Sequence, residues 1–188
     1  PEKYIFYPAM YLPHKNHRLI IDAIKMINHN EKINLSVIFC GKDKGLLLKL
    51  KNYAKKLNIS DKITFLDFIK ENDLPFYYCN SQALVMPSLV GPTNIPPWEA
   101  FKLRVPVFYS KLEGIEDVLK DGVYYIDPLN PHKLVEGLKK LLNDGEFKKN
   151  LIKNGLKVLE SNNNEMEFEK FFTKLKKVID TEQRKKFD

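Results

Sequence analysis

The chain has 188 residues, of which 44% are hydrophobic and 29% are charged, and this fits one globular domain with at most a small appendage. Its net charge of +7 favours anionic partners such as nucleotides, lipid head groups or nucleic acid. No apolar run is long enough to cross a bilayer, and the N-terminus does not have the pattern of a signal peptide.

Six short apolar runs predict β-strands, at residues 4–7, 35–40, 63–66, 83–86, 105–109 and 123–126. Most of them lack alternation between polar and apolar positions, as expected for parallel strands that are covered on both faces. Because the first strand begins almost at residue 1, we expect that a partner domain upstream is missing from this chain.

Helical patterns fill the gaps between these strands. One apolar stripe runs from Leu19 to Ile27 with Asn16 as its expected N-cap, and Asn130 before Pro131 is another helix start. Further helices are predicted at residues 43–57, 71–79, 131–143, 147–159 and 165–179. We expect a domain at residues 1–160, followed at 161–188 by a linker, a C-terminal helix that packs back towards the missing domain, and a charged tail.

The alternation of strands and helices predicts an α/β fold. We expect a Rossmann-like, doubly wound parallel sheet of about six strands, with helices on both faces and right-handed crossovers. In such sheets, ligands bind beyond the carboxyl ends of the strands.

The cysteines and histidines do not form a recognisable metal site. Cys40 and Cys79 lie in or beside apolar segments, and we expect both to be reduced, buried thiols. The four histidines do not cluster with Cys or Asp at the spacing of metal ligands. The sequence also lacks the glycine-rich dinucleotide fingerprint, the P-loop and the G-x-S-x-G elbow of hydrolases.

The segment at residues 87–100 carries the strongest functional signal. It follows a buried strand, contains Gly91, and enters a helix at Pro96 and Pro97, where the absence of an N–H group is tolerated. Unpaired N–H groups at such a junction suit an anion such as a diphosphate. Glu99 lies one turn into the helix, where its carboxylate could accept hydrogen bonds from sugar hydroxyl groups.

The loop after the first strand is the second candidate. Lys15 precedes a helix and could neutralise a phosphate. Taken alone, Lys15 is also readable as a solvated surface residue, Glu99 as a surface carboxylate, and Trp98 as a packing residue rather than one that stacks on a ligand. The combination carries the signal, because both loops end at the same edge of the predicted sheet.

Residues 4–143 resemble the donor-binding domain of the retaining glycosyltransferases of glycosyl transferases group 1, which have the GT-B architecture. The strongest likeness is at residues 87–100, where the family has P-S-x-x-E-G-x-G-x-P-x-x-E-A, and at 104–107, where it has G-x-P-V. Supporting pieces lie, in the same order as in the family, at residues 13–17, 37–41, 63–69, 80–88 and 119–122.

The resemblance implies a nucleotide-sugar donor, a UDP- or GDP-sugar, bound in a cleft between two Rossmann-like domains. It implies transfer with retention, without a bound metal or a cofactor. Glu99 matches the glutamate that holds the ribose, and Lys15 matches the residue that contacts the donor phosphate. Thr93, Asn94 and Ile95 match the loop whose N–H groups meet the diphosphate.

The resemblance also has departures. The family's first glutamate, which lies beside the donor sugar, falls on Gly91 and leaves the catalytic residue unknown. The usual arginine at the diphosphate falls on Met10, and His14 is a candidate substitute. Asp67 replaces the usual glycine before the loop in which the backbone of Ile69 would read the base.

From this resemblance we expect a cytoplasmic hexosyltransferase that assembles a polysaccharide or a glycolipid, inactive as this fragment alone. Its expected partners are the donor, the missing N-terminal domain and a lipid-linked acceptor at the inner face of the membrane. The alternatives are a non-catalytic nucleotide-sugar-binding or assembly module, and an epimerase or hydrolase of GT-B architecture. A nucleic-acid-binding domain is disfavoured, since the sequence has no aromatic-plus-basic motif and no recognition helix.

Overall fold

The structure is a computed structural model that describes residues 1–91 and 95–161. Its centre is a parallel sheet in the order β3-β2-β1-β4-β5-β6. The strands are β1 (Tyr4–Pro8), β2 (Ser36–Cys40), β3 (Ile63–Leu66), β4 (Leu84–Met86), β5 (Val107–Ser110) and β6 (Tyr124–Ile126). The expected doubly wound α/β fold is therefore confirmed, with all six predicted strands present.

Seven α-helices surround this sheet in the described part of the chain. They are α1 (His17–His29), α2 (Leu47–Lys56), α3 (Leu74–Cys79), α4 (Ile95–Lys102), α5 (Ile115–Leu119), α6 (Pro131–Asn143) and α7 (Gly145–Ser161). Helix α1 packs against α2 and α6, and α4 packs against α7. Every residue of β1 except Pro8, and every residue of β2, β4 and β5, is buried, which explains why these strands read as continuous apolar runs.

Several helix boundaries differ from the prediction for local reasons. Asp43 does not begin α2; its carboxylate accepts hydrogen bonds from the N–H groups of Gly45, Leu46 and Leu47, so the helix starts at Leu47. Helix α3 likewise begins at Leu74 rather than at residue 71. The side chain of Asn130 caps α6 as predicted, by accepting a 3.0 Å hydrogen bond from the N–H of His132.

Two predictions about single residues were only partly right. Asn16 occupies the N-cap position of α1, but its φ is +55° and its side chain forms no capping bond to that helix. Both cysteines are free thiols and Cys40 is buried, but Cys79 is exposed because it is the last residue of the short surface helix α3. Of the linker, helix and tail predicted at residues 161–188, only Ser161 is described, and it is the last residue of α7 rather than part of a linker; residues 162–188 lie outside the described residues.

Within the described ranges, none of the helices combines the length and the apolar character that a membrane span requires.

Candidate functional site

Two chain segments meet beyond the carboxyl ends of β1 and β4. After β1, the chain forms a 3-10 helix at Pro13–Lys15, and the carbonyl oxygen of His14 accepts a 2.8 Å hydrogen bond from the N–H of Leu89 in the loop after β4. The buried Tyr7 hydroxyl donates to the carbonyl oxygen of Lys15 at 2.9 Å and lies 3.2 Å from Ser88 Oγ. Because β1 and β4 are neighbours at the point where the strand order reverses, this is where an open α/β sheet binds ligands.

Asn16 fixes this meeting point. Its side-chain Nδ2 donates to the carbonyl oxygens of Pro87 at 3.1 Å and Pro128 at 2.8 Å. These two carbonyls belong to the loops after β4 and β6, so one amide group ties three strand-end loops together. The left-handed backbone of Asn16 is the conformation that asparagine tolerates better than most residues, and its side chain forms no capping bond to α1.

We call the place where the His14–Lys15 and Leu89 segments meet the rim of the site. Lys15 contributes a positive charge at this rim. Its side chain is half-buried, and this burial lowers the pKa of the ammonium group. No carboxylate in residues 1–91 or 95–161 forms an ion pair with it. A partly desolvated cation that has no counter-ion among the described residues is suited to bind an anionic ligand.

Gly41 allows the loop after β1 to follow its path. A Cβ atom on Gly41 would lie 2.3 Å from the carbonyl oxygen of Ala9 and 2.7 Å from the nitrogen of Met10. Only glycine fits at such an approach of backbone to backbone. Met10, which replaces the family's arginine, is itself 43% exposed in this loop.

Glu99 lies inside α4 and is only 7% exposed, which excludes the reading of a surface carboxylate. Its Oε2 accepts a 2.5 Å hydrogen bond from the hydroxyl of Tyr78 on α3. Burial raises the pKa of Glu99, the negative charge of Glu71 acts in the same direction, and the Tyr78 bond opposes both. The pKa of Tyr78 is raised well above its usual range by burial and by Glu99, so its hydroxyl stays a donor.

The loop between Glu99 and the rim contains Gly91, whose φ is +122°. A Cβ atom there would meet no atom within 4 Å, so the backbone conformation and not space requires glycine. Thr93 and Asn94 lie outside the described residues. Ile95 is the first residue of α4 and is 64% exposed; the helix therefore begins one residue before the predicted Pro96.

Ile69 lies in the loop between β3 and α3, where it packs partly against the core. Its neighbour Phe68 is 82% exposed. No described contact joins Ile69 to Lys15 or Gly91; the backbone of Ile69 instead faces the thiol of Cys40 at the end of β2. The ring of Trp98 lies 5.7 Å from Phe101 in an edge-on arrangement, which agrees with the packing role considered for it.

The structure adds residues that the sequence analysis missed. Tyr7, Asn16, Ser88 and Tyr78 form contacts that hold the candidate segments. Asn16 and Ser88 lie within motifs of the sequence, but nothing local in the sequence indicated these contacts. His17 was also missed as a functional support: it is fully buried between the rings of Tyr7, Tyr11 and Phe39, at centroid distances of 4.9 to 5.1 Å, and burial lowers its pKa to about 4.

The site chemistry is that of anion and hydroxyl recognition. A cation and a glycine-containing loop lie at one end, and a buried carboxylate lies one helical turn into α4. Across the described residues, no group of three or more His, Cys, Asp or Glu side chains could hold a metal ion.

Comparison with known proteins shows the family to which the chain belongs. The sequence model described as glycosyl transferases group 1 matches residues 1–158. The O-antigen chain mannosyltransferase RfbU of Salmonella typhimurium is 32% identical over 127 residues, which are 68% of this chain and 35% of RfbU. The chain spans less than half the length of the curated relatives that it matches.

Solved structures share the fold at low sequence identity. Alr3699/HepE of Anabaena, crystallised with UDP-glucose, superposes with a TM-score of 0.76 at 16% identity, over 96% of this chain and 48% of that one. The C-terminal domain of a glycosyl transferase group 1 protein (LpcC) from Francisella tularensis superposes with a TM-score of 0.72 at 19% identity. That match covers 86% of this chain and 87% of the LpcC domain.

Proposed function

Since this chain belongs to the glycosyl transferases group 1 family, we propose that it is the donor-binding half of a GT-B glycosyltransferase. One observation carries the proposal. The Lys15 and Leu89 segments meet where the strand order reverses between β1 and β4, and the buried Glu99 lies on the adjoining helix α4. In this proposal the donor is a nucleotide-sugar, a ligand with a diphosphate for the rim and a ribose for the carboxylate.

Each part of the donor has a proposed contact. Lys15 and the N–H groups around Ile95 hold the diphosphate, and Thr93 and Asn94, which the structure does not describe, are assigned to the same anion. Glu99 accepts hydrogen bonds from the ribose, and the backbone at Ile69 reads the edge of the base. His14, beside Lys15, takes the place of the arginine that the family has at the position of Met10.

The proposed chemistry is electrostatic on this side of the cleft. As the bond to the sugar breaks, negative charge grows on the departing diphosphate, and Lys15 with the nearby N–H groups stabilises it. We propose that transfer proceeds with retention and without a metal, and that a second domain of the full-length protein orients the acceptor. The UDP-glucose bound by HepE supports a nucleotide-sugar donor, which we take to be a UDP- or GDP-sugar, and the O-antigen chain named for RfbU supports a polysaccharide acceptor. A lipid-linked acceptor is part of the same proposal.

A thermal-shift panel tests the donor assignment. UDP-, GDP- and ADP-sugars are compared on this chain, and one class should raise its melting temperature because it binds the folded state alone. If none of them shifts the melting temperature and none binds by calorimetry, the proposal is wrong.

Gly91 favours a second candidate, a binding or assembly module without transfer activity, because it removes the carboxylate that would lie beside the donor sugar. The full-length protein separates the two. Transfer of sugar to an acceptor identifies the enzyme, and binding without turnover identifies the module. Release of free nucleotide or of an interconverted sugar without an acceptor would identify a hydrolase or an epimerase.

A further inference from the structure

We propose that Tyr78 is a positioning residue that orients Glu99 towards the ribose and thereby makes the site select ribonucleotides over deoxyribonucleotides. This inference rests on the proposed function, and the experiment below distinguishes the two.

The geometry holds the phenol in one place. Tyr78 is 1% exposed, and its ring packs edge-on against Phe6 of β1 at 5.1 Å between centroids. Its hydroxyl reaches Glu99 Oε2 at 2.5 Å. A hydroxyl anchored between the sheet and α4 fixes one carboxylate oxygen, so the plane of the carboxylate is fixed as well.

The second carboxylate oxygen then has a defined direction. Glu99 Oε1 makes no hydrogen bond to any residue in the described part of the chain, which leaves it available to the adjacent hydroxyl groups of a ribose. A ligand without these hydroxyls would leave a buried carboxylate oxygen unpaired, and a site built to hydrogen-bond a hydroxyl discriminates strongly against such an analogue.

Tyr78 also favours the charged form of the carboxylate. The groups that act on Glu99 are Tyr78 on α3 and Glu71 just before α3, and Cys40 at the end of β2 faces Tyr78 itself. Burial and Glu71 both favour the neutral acid, which would present a proton to the ligand. The phenol donates to the charged form and opposes both effects.

The test is calorimetric titration of the wild-type chain and Tyr78→Phe with a matched pair of ligands. The pair is UDP or GDP, whichever binds wild type more tightly, and its 2′,3′-dideoxy analogue. Tyr78→Phe keeps the ring that packs on Phe6, and it should weaken the ribonucleotide about tenfold while leaving the dideoxy analogue nearly unchanged. Equal weakening of both ligands would overturn the inference.

Three further comparisons separate positioning from general damage. Tyr4→Phe is the matched control, since the Tyr4 hydroxyl also donates a hydrogen bond to α3, to the carbonyl oxygen of Tyr77 at 2.9 Å. This variant should not alter the ratio of the affinities for the two ligands. Tyr78→Phe should have no further effect on that ratio in a Glu99→Gln background. The loss of ribonucleotide affinity at acid pH should also begin at a higher pH in Tyr78→Phe than in wild type.

The outcomes are distinct for the two proposals. A wild-type chain that binds neither ligand would reject the proposed function, and this inference with it. A wild-type chain that prefers the ribonucleotide, together with a Tyr78→Phe variant whose preference and pH profile are unchanged, would reject the positioning role alone.

Discussion

The N–H of Leu89 donates a 2.8 Å hydrogen bond to the carbonyl oxygen of His14 and so joins two loops whose residues are 75 positions apart in the sequence. This bond brings Lys15 beside the loop that leads to Gly91. The site is thus assembled by the sheet, because β1 and β4 are adjacent, and its predicted behaviour can be tested residue by residue.

Lys15→Ala should weaken binding of the nucleoside diphosphate by about 1.5–3 kcal/mol, the usual cost of a lost hydrogen bond to a charged group. The bare nucleoside should lose much less, since it lacks the anion. Calorimetry with both ligands measures this difference. Lys153→Ala, on the exposed surface of α7, is the control for overall charge. Equal losses for diphosphate and nucleoside would mean that Lys15 does not contact the phosphates.

Glu99→Ala should weaken binding of the nucleoside diphosphate by about 1.5–3 kcal/mol, because it removes the proposed charged acceptor for the ribose. Glu160→Ala, at an exposed position of α7, is the matched control. Unchanged affinity in Glu99→Ala by titration calorimetry would remove this residue from the site.

Glu99→Gln should stabilise the fold at neutral pH even though it weakens binding of the nucleoside diphosphate. Burial raises the pKa of Glu99 above 4.5, so the folded state disfavours the charge at any higher pH. The gain from the neutral amide should therefore be full above the raised pKa, shrink as the pH falls from that pKa towards 4.5, and be absent below 4.5. Melting temperatures from pH 4 to pH 8 measure it, at about 2–4 °C for each kcal/mol. A variant that melts below wild type at pH 7 would contradict this account.

Gly91→Ala should weaken nucleotide binding with little loss of global stability. The φ of +122° costs a residue with a side chain about 1–3 kcal/mol, and the exposed loop can relax instead of unfolding the domain. Calorimetry and thermal melting, run together, separate the two effects.

For the same reason Gly91→Glu should not restore the family's missing carboxylate; recovery of transfer activity in that variant would show that the loop adopts another backbone conformation.

His17 should make the fold less stable in mild acid. Its pKa falls from 6.5 to about 4 on folding, so the stability that neutral His17 provides is complete above pH 6.5 and is lost as the pH falls towards 4. The full loss is roughly 3 kcal/mol. His17→Phe, which fits the surrounding rings, should show a flatter dependence of unfolding free energy on pH between these values. An identical slope in the variant and wild type would assign acid unfolding to other groups.

The sheet could be predicted from the sequence because burial on both faces makes the central strands β1, β2, β4 and β5 nearly continuous apolar runs. The stripe from Leu19 to Ile27 and the Asn130 cap gave equally local signals for α1 and α6. The contact between Tyr78 and Glu99 could not be predicted this way, since it joins residues on different helices and depends on how α3 and α4 pack. Asn16 shows the same limit: its residue type suggested a cap, while tertiary contacts gave its amide two distant carbonyl partners.

The tie that Asn16 makes between Pro87 and Pro128 has a thermodynamic consequence. A ligand that approaches Lys15 meets a backbone that is already held by its own hydrogen bonds. The loops on this side of the site therefore need little ordering when the ligand binds. A flexible anion-binding loop loses conformational entropy when its ligand binds. In this protein that entropy is lost during folding instead. Tight binding can therefore arise from few contacts.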